Sequence, residues 1–122
     1  MAEHSPLAQR AGLYLHVPFC QRKCPYCGFS SRPPRDGDFA CYFQAVLAPL
    51  HTVARLPEIR ELRFASVFFG GGTPSVLGTE QLKTITDALG PADYEEFTVE
   101  VNPDDVTKEF AAGLVKMGVN RI

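Results

Sequence analysis

The sequence predicts an α/β fold with parallel strands and outer helices, the front portion of a longer (β/α) barrel or open sheet. Three observations predict it. Over 122 residues the apolar pattern alternates between a period of two and a period near 3.6. Each strand-like run is followed by Gly- or Pro-rich punctuation and then by a helix-like run, the order of successive βαβ crossovers. Residues 119–122 read as the start of a fourth strand, whose edge would be neither covered nor paired. The expectation is an incomplete domain over 12–122, cut in its fourth strand and preceded by a flexible leader, 1–11.

The elements can be justified in order. Over 12–17, Leu13, Leu15 and Val17 alternate with Tyr14 and His16, a short strand with one apolar face. Pro18 ends it, because proline has no N–H for a ladder. A loop with three cysteines follows, then RPPRDGD (32–38), which is turn or loop. Phe39, Phe43, Val46, Leu47 and Leu50 fall at helical spacing, with Asp38 as the N-cap and Pro49 as a kink or stop. LRFASVFF (62–69) is the second strand, closed by GGGTP (70–74). A helix over 79–89 turns Leu82, Ile85 and Leu89 inward and stops at Gly90-Pro91. In 94–101, Phe97, Val99 and Val101 alternate with Glu96, Thr98 and Glu100, the third strand. Asn102-Pro103 turns the chain into a helix over 105–117, carried by Phe110, Leu114 and Met117 and capped by Gly118.

Composition removes several function classes. The net charge of −2 gives no electrostatic case for nucleic acid or an anionic membrane surface. Apolar runs are only a few residues long, so no segment is expected to span a bilayer. The start MAEHSPLAQRAG lacks the basic-then-apolar pattern of a signal peptide, and a cytoplasmic location is expected. Four cysteines in a reducing compartment, three of them clustered and Cys41 apart, suit metal or cluster binding better than structural disulfides.

Cys20, Cys24 and Cys27 are spaced C-x3-C-x2-C within eight residues. Structural zinc would need a fourth ligand, and the candidates are His16 and Cys41. His16 sits on a strand only four residues before Cys20, however, and Cys41 falls in a predicted helix. A [4Fe–4S] cluster held by three thiolates needs no fourth protein ligand and leaves one iron open for chemistry. The spacing favours the cluster.

The cysteine spacing, with Tyr26 before the last cysteine, resembles the signature of the radical S-adenosylmethionine (SAM) superfamily. YLHVPFCQRKCPYCGFSS, VFFGGGTPSVL, VEVNPDDVT and GVNRI occur in that order. Together they resemble the N-terminal half of the family of oxygen-independent coproporphyrinogen III oxidase and the HemW heme chaperone. The resemblance implies a partial (β/α) barrel in which Cys20, Cys24 and Cys27 hold a [4Fe–4S] cluster and S-adenosyl-L-methionine chelates the open iron. It also implies that Tyr14 contacts the cofactor beside the cluster, that Tyr26 lies against the adenine, and that Gly71, Gly72 and Thr73 approach the amino-acid end. Glu100 would hydrogen-bond S-adenosylmethionine from the third strand. Residue chemistry agrees in part. Glycine admits close backbone approach past a strand end, where α/β folds place their sites. Taken alone, GGGTP is equally an ordinary tight turn, since no phosphate-loop pattern completes it. Glu100 opposes the apolar face of its strand, so it should point into the barrel near its C-terminal mouth. Without the resemblance, an exposed edge-strand glutamate is an equal reading. Tyr14 could simply pack, His16 reads as a satisfied core histidine, Cys41 as a small buried apolar helix residue, and Arg22 and Lys23 as solvated; the last four receive no site role.

One residue departs from the oxidase pattern. The oxidase carries a further cysteine two residues after the last cluster cysteine, and this chain has Phe29 there. The departure favours a heme chaperone, with heme or porphyrin, a heme-acceptor protein and an electron donor such as a flavodoxin or ferredoxin as partners. The alternatives are a radical enzyme that cleaves S-adenosylmethionine to abstract hydrogen from a porphyrinogen, and a plain zinc-binding module.

Overall fold

The computed structural model describes residues 9–22, 25–28, 30–90 and 94–122. The leader residues 1–8 and Pro91 of the expected helix stop lie outside this set. The chain runs β1 (Arg10–Val17), α1 (Asp38–Val53), α2 (Pro57–Arg60), β2 (Arg63–Gly71), α3 (Thr79–Ala88), β3 (Glu96–Val99) and α4 (Lys108–Met117). Single 3-10 turns occur at Pro74–Leu77 and Pro103–Asp105. The three strands form one sheet in the order β1-β2-β3, and both pairings are parallel, as the alternating pattern requires.

Register sorts the side chains onto two faces. Leu13 lies opposite Val67 and Leu15 opposite Phe69, while Val67 and Phe69 face Phe97 and Val99 on β3. These apolar residues, with Val17, pack against Leu77, Leu82, Ile85 and Leu114 to form the core. Phe69 and Phe97 meet edge-to-face at 5.2 Å within it. The other face carries the row Tyr14, Phe68, Thr98 and the row His16, Gly70. Glu100 extends the second row, since its N–H donates to Phe69 O at 2.9 Å.

Where elements differ from expectation, a local contact explains the difference. β1 starts at Arg10, inside the segment read as leader, because Arg63 N–H donates to Gln9 O at 2.9 Å and Glu95 ion-pairs with both Arg10 and Arg63. β2 continues through Gly71 rather than closing at Phe69, because β1 pairs with it to the end. β3 is shorter than 94–101, and Glu100 and Val101 lie just past its last residue. α1 runs through Pro49 to Val53. The cost of the proline is offset by Phe39, Tyr42, Phe43, Leu47 and Leu50, which pack on the core. α4 starts at Lys108 rather than 105, because Thr107 caps it by accepting from Phe110 N–H at 3.1 Å. Gly118 ends α4 in the left-handed region, as expected. Past it, Arg121 bridges Thr98 in parallel, where the fourth strand was expected. α2 was not expected; Pro57 suits its first turn. No described helix is long and apolar enough to cross a membrane.

Asp38 does not cap α1. Gly37 takes the cap position in the left-handed region, and the Asp38 carboxylate accepts from Arg32 Nη1 and Arg35 N–H, both at 2.6 Å. The Arg32 hydrogen bond, then the Arg35 N–H, hold its pKa down at about 2. A carboxyl depressed on folding stabilises above its unfolded value of about 3.9 and loses that contribution as pH falls through about 2. Thermal melts should therefore show wild type above Asp38→Asn at neutral pH, with the gap closing between about pH 4 and pH 2. A gap that stays constant with pH would contradict the assignment.

Candidate cofactor site at the C-terminal end of the sheet

The cysteine loop leaves β1 and returns to it. Cys20 N–H donates to Arg32 O at 3.1 Å, Arg32 N–H donates to Pro18 O at 3.0 Å, and Phe19 bridges Arg32 in parallel. The loop is thus closed at its base beside the sheet. Cys20 is buried and Cys27 half-buried, and Cys20, Cys27 and Cys41 are all free thiols. Cys24, Lys23 and Phe29 lie outside the described residues. Among the described residues no three His, Cys, Asp or Glu side chains gather as a metal site, a set that holds only two of the three expected thiolates.

The glycine segment sits directly against this base. Gly72 N–H donates to Val17 O and Thr73 N–H to Phe19 O, both at 2.7 Å. A Cβ on Gly72 would stand 2.5 Å from Phe19 O and 2.8 Å from Phe19 C. A Cβ on Gly71, at φ +110°, would meet the His16 ring at 2.7 Å. The chain's own backbone therefore already requires glycine here, besides any ligand. Thr73 Oγ1 then donates to Cys20 Sγ at 3.3 Å, tying the segment to the first cysteine.

Gly72, Thr73, Glu100, Val101 and Ile122 line one cavity of about 330 Å³. Three of the expected cofactor contacts, Gly72, Thr73 and Glu100, meet there. Gly70 gives Glu100 its room, since a Cβ at Gly70 would stand 3.2 Å from Glu100 Oε2. Gly71, Tyr14 and Tyr26 do not line this cavity. Tyr14 is 58% exposed and stacks on Phe68 at 5.9 Å, on the face opposite the core. Tyr26 is 90% exposed on the loop.

His16 does more than the sequence suggested. Its Nε2 lies 2.9 Å from Ser30 O and its Nδ1 lies 3.0 Å from the Tyr14 hydroxyl. A carbonyl can only accept, so Nε2 carries the proton, and in the neutral ring Nδ1 accepts from Tyr14. His16 thereby fastens the far end of the cysteine loop to β1, and with both nitrogens engaged it is a poor fourth ligand for zinc. Cys41 is on α1 as expected but exposed rather than buried, next to Tyr42. Tyr42 donates to His16 O at 2.8 Å, and burial pushes its phenol up to about 12. The sequence signal for His16 was its place on the Tyr14 side of the alternation; for Ser75, buried just beyond the glycines, there was none.

The sequence profile of the radical SAM superfamily matches residues 14–122. A curated relative from Bos taurus, radical S-adenosyl methionine domain-containing protein 1, mitochondrial, is 37% identical over 97% of this chain and 27% of its own length. Heme chaperone HemW from Bacillus subtilis is 35% identical over 89% of this chain and 30% of its own. The solved structure of coproporphyrinogen III oxidase (HemN) from Escherichia coli, a radical SAM enzyme, superposes with a TM-score of 0.77 at 26% identity, covering 98% of this chain and 28% of that one. The chain thus spans less than a third of the length of each of these proteins.

Proposed function

Because this chain belongs to the radical SAM superfamily, we propose that it serves a HemW-like heme chaperone, with Cys20, Cys24 and Cys27 holding the cluster. The superfamily implies an iron–sulfur cluster and S-adenosylmethionine, and the donor set fits: the two described thiols are unpaired, and thiolates are the ligands such clusters take. Bound there, the cluster would supply an open coordination site and an electron.

The observation that carries this reading is Thr73, which bonds Cys20 and also lines the cavity shared with Gly72 and Glu100. Cluster loop and cofactor pocket are contiguous through one side chain. The N–H groups of Gly72 and Thr73 are already taken up by Val17 and Phe19. The cavity wall therefore offers acceptors, the Glu100 carboxylate foremost, and suits the ammonium of the amino-acid end by a charge-assisted hydrogen bond. Tyr14, held by His16, would present its ring beside the cluster, Tyr26 would cover the adenine, and Gly71 would set the course of the backbone into the pocket. The reading takes a reducing compartment, the cytoplasm, because the thiolates must stay unpaired.

Phe29, in place of the oxidase's further cysteine, favours heme transfer over decarboxylation. Partners would then be heme or a porphyrin, a heme-acceptor protein, and a flavodoxin- or ferredoxin-type reductant. The full-length protein, purified anaerobically, should contain iron and acid-labile sulfide and pass bound heme to an apo-acceptor while leaving coproporphyrinogen unchanged. Decarboxylated product would assign the oxidase instead; zinc without sulfide would remove both readings.

A further inference from the structure

We infer that Ser75 is a positioning residue that locks the two walls of the cofactor cavity to each other; the inference rests on the reading of that cavity as the S-adenosylmethionine pocket. Ser75 is buried, with 5% of its surface exposed. Its hydroxyl donates to Asp105 Oδ2 at 2.6 Å and accepts from Asn102 N–H at 3.0 Å. Ser75 stands two residues after Thr73, in the 3-10 turn Pro74–Leu77. Asn102 stands two residues after Glu100, and Asp105 ends the 3-10 turn that follows. One hydroxyl thus joins the Gly72–Thr73 wall to the Glu100–Val101 wall.

The chemistry is specific to a small hydroxyl. Asn102 N–H needs an acceptor and the Asp105 carboxylate needs a donor, and a serine Oγ supplies both at once. Asn102 is itself held in place, because its Oδ1 accepts from Asp104 N–H at 3.2 Å. Alanine at 75 would leave a partly buried N–H and a carboxylate without this partner and let the Asn102–Asp105 turn drift. Glu100 would drift with it, because only one residue separates it from Asn102. Ser75 does not line the cavity, so its effect would pass through the two walls and not through contact with ligand.

The test uses the full-length protein with its cluster reconstituted, and S-adenosylmethionine as the probe. Ser75→Ala should keep its iron and sulfide content, bind S-adenosylmethionine about tenfold more weakly (about 1.4 kcal/mol), and reduce the change that S-adenosylmethionine makes in the electron paramagnetic resonance spectrum of the reduced cluster. Asp105→Ala, which removes one of the two hydrogen bonds of the link from the other wall, should weaken binding in the same direction but by less. The double variant should be no weaker than Ser75→Ala alone. Wild-type affinity and spectrum in both variants would overturn the inference, whether or not the thermal midpoint fell, since a lower midpoint with unchanged binding is a purely structural role. Should Ser75→Ala fail to fold, Asp105→Ala decides by the same two readouts. A wild-type protein that bound no S-adenosylmethionine would instead overturn the pocket reading, and the inference with it.

Discussion

Replacing Cys24 with alanine in the full-length protein is expected to give a soluble, colourless protein. Three thiolates in one short loop are all the protein ligands this reading gives the cluster, so the variant keeps two, and one missing thiolate uncovers a second iron. Loss of cluster absorbance and of stoichiometric iron and sulfide should be complete. The fold should survive, because the core is built mostly elsewhere. Of its buried side chains among the described residues, only Phe19 and Cys20, at the base, belong to the loop, while Phe69, Phe97, Leu82, Ile85, Val17, Val67 and Val99 come from the sheet and α3. Far-ultraviolet circular dichroism and the melting profile of the metal-free variant should therefore match those of metal-free wild type. A brown variant with normal iron would refute the assignment of Cys24.

The second large effect is expected at Gly72. An alanine Cβ there would stand 2.5, 2.8 and 3.0 Å from the O, C and N of Phe19. All three are backbone atoms, so no side chain can swing aside, and the end of β1 or the glycine segment must move. The hydrogen bonds of Gly72 to Val17 and of Thr73 to Phe19 would stretch, and the Thr73 link to Cys20 with them. Gly72→Ala should destabilise the protein by about 3 kcal/mol, the upper end of ordinary overpacking, as read by denaturant titration. Gly113→Ala on α4 provides the contrast. Its Cβ would meet Thr79 Cγ2 at 2.6 Å, but that is a side chain that can rotate. The gain of about 1 kcal/mol in helix propensity should offset much of the strain. Equal losses at the two glycines would contradict the contrast between backbone and side-chain obstruction.

Much of the fold was legible because its signals are local. The alternation of Leu13, Leu15 and Val17, the helical spacing in 79–89 and the cap at Gly118 each depend on a few neighbouring residues, and each stands where it was expected. The misplacements came where a competing contact outweighed the cue read from the pattern. Asp38 looked like a cap, but Arg32 and Arg35 N–H draw its carboxylate back. Pro49 looked like a kink or a stop, but the apolar stripe of α1 on the core carries the helix past it. GGGTP looked like the end of β2, but β1 pairs alongside as far as Gly71.

For the site, the sequence alone carried the residue types and their spacing: three cysteines as C-x3-C-x2-C, Glu100 opposite an apolar face, and three consecutive glycines at 70–72. Only the tertiary structure decided that Thr73 reaches Cys20, that Gly72 is held to glycine by the Phe19 backbone, that His16 fastens Ser30, and that Ser75 links Asn102 and Asp105. Thr73–Cys20 spans 53 positions and Ser75–Asp105 spans 30. Pairings at such separations leave no periodic trace in a single chain, because they are set by how a parallel sheet brings the ends of β1, β2 and β3 side by side.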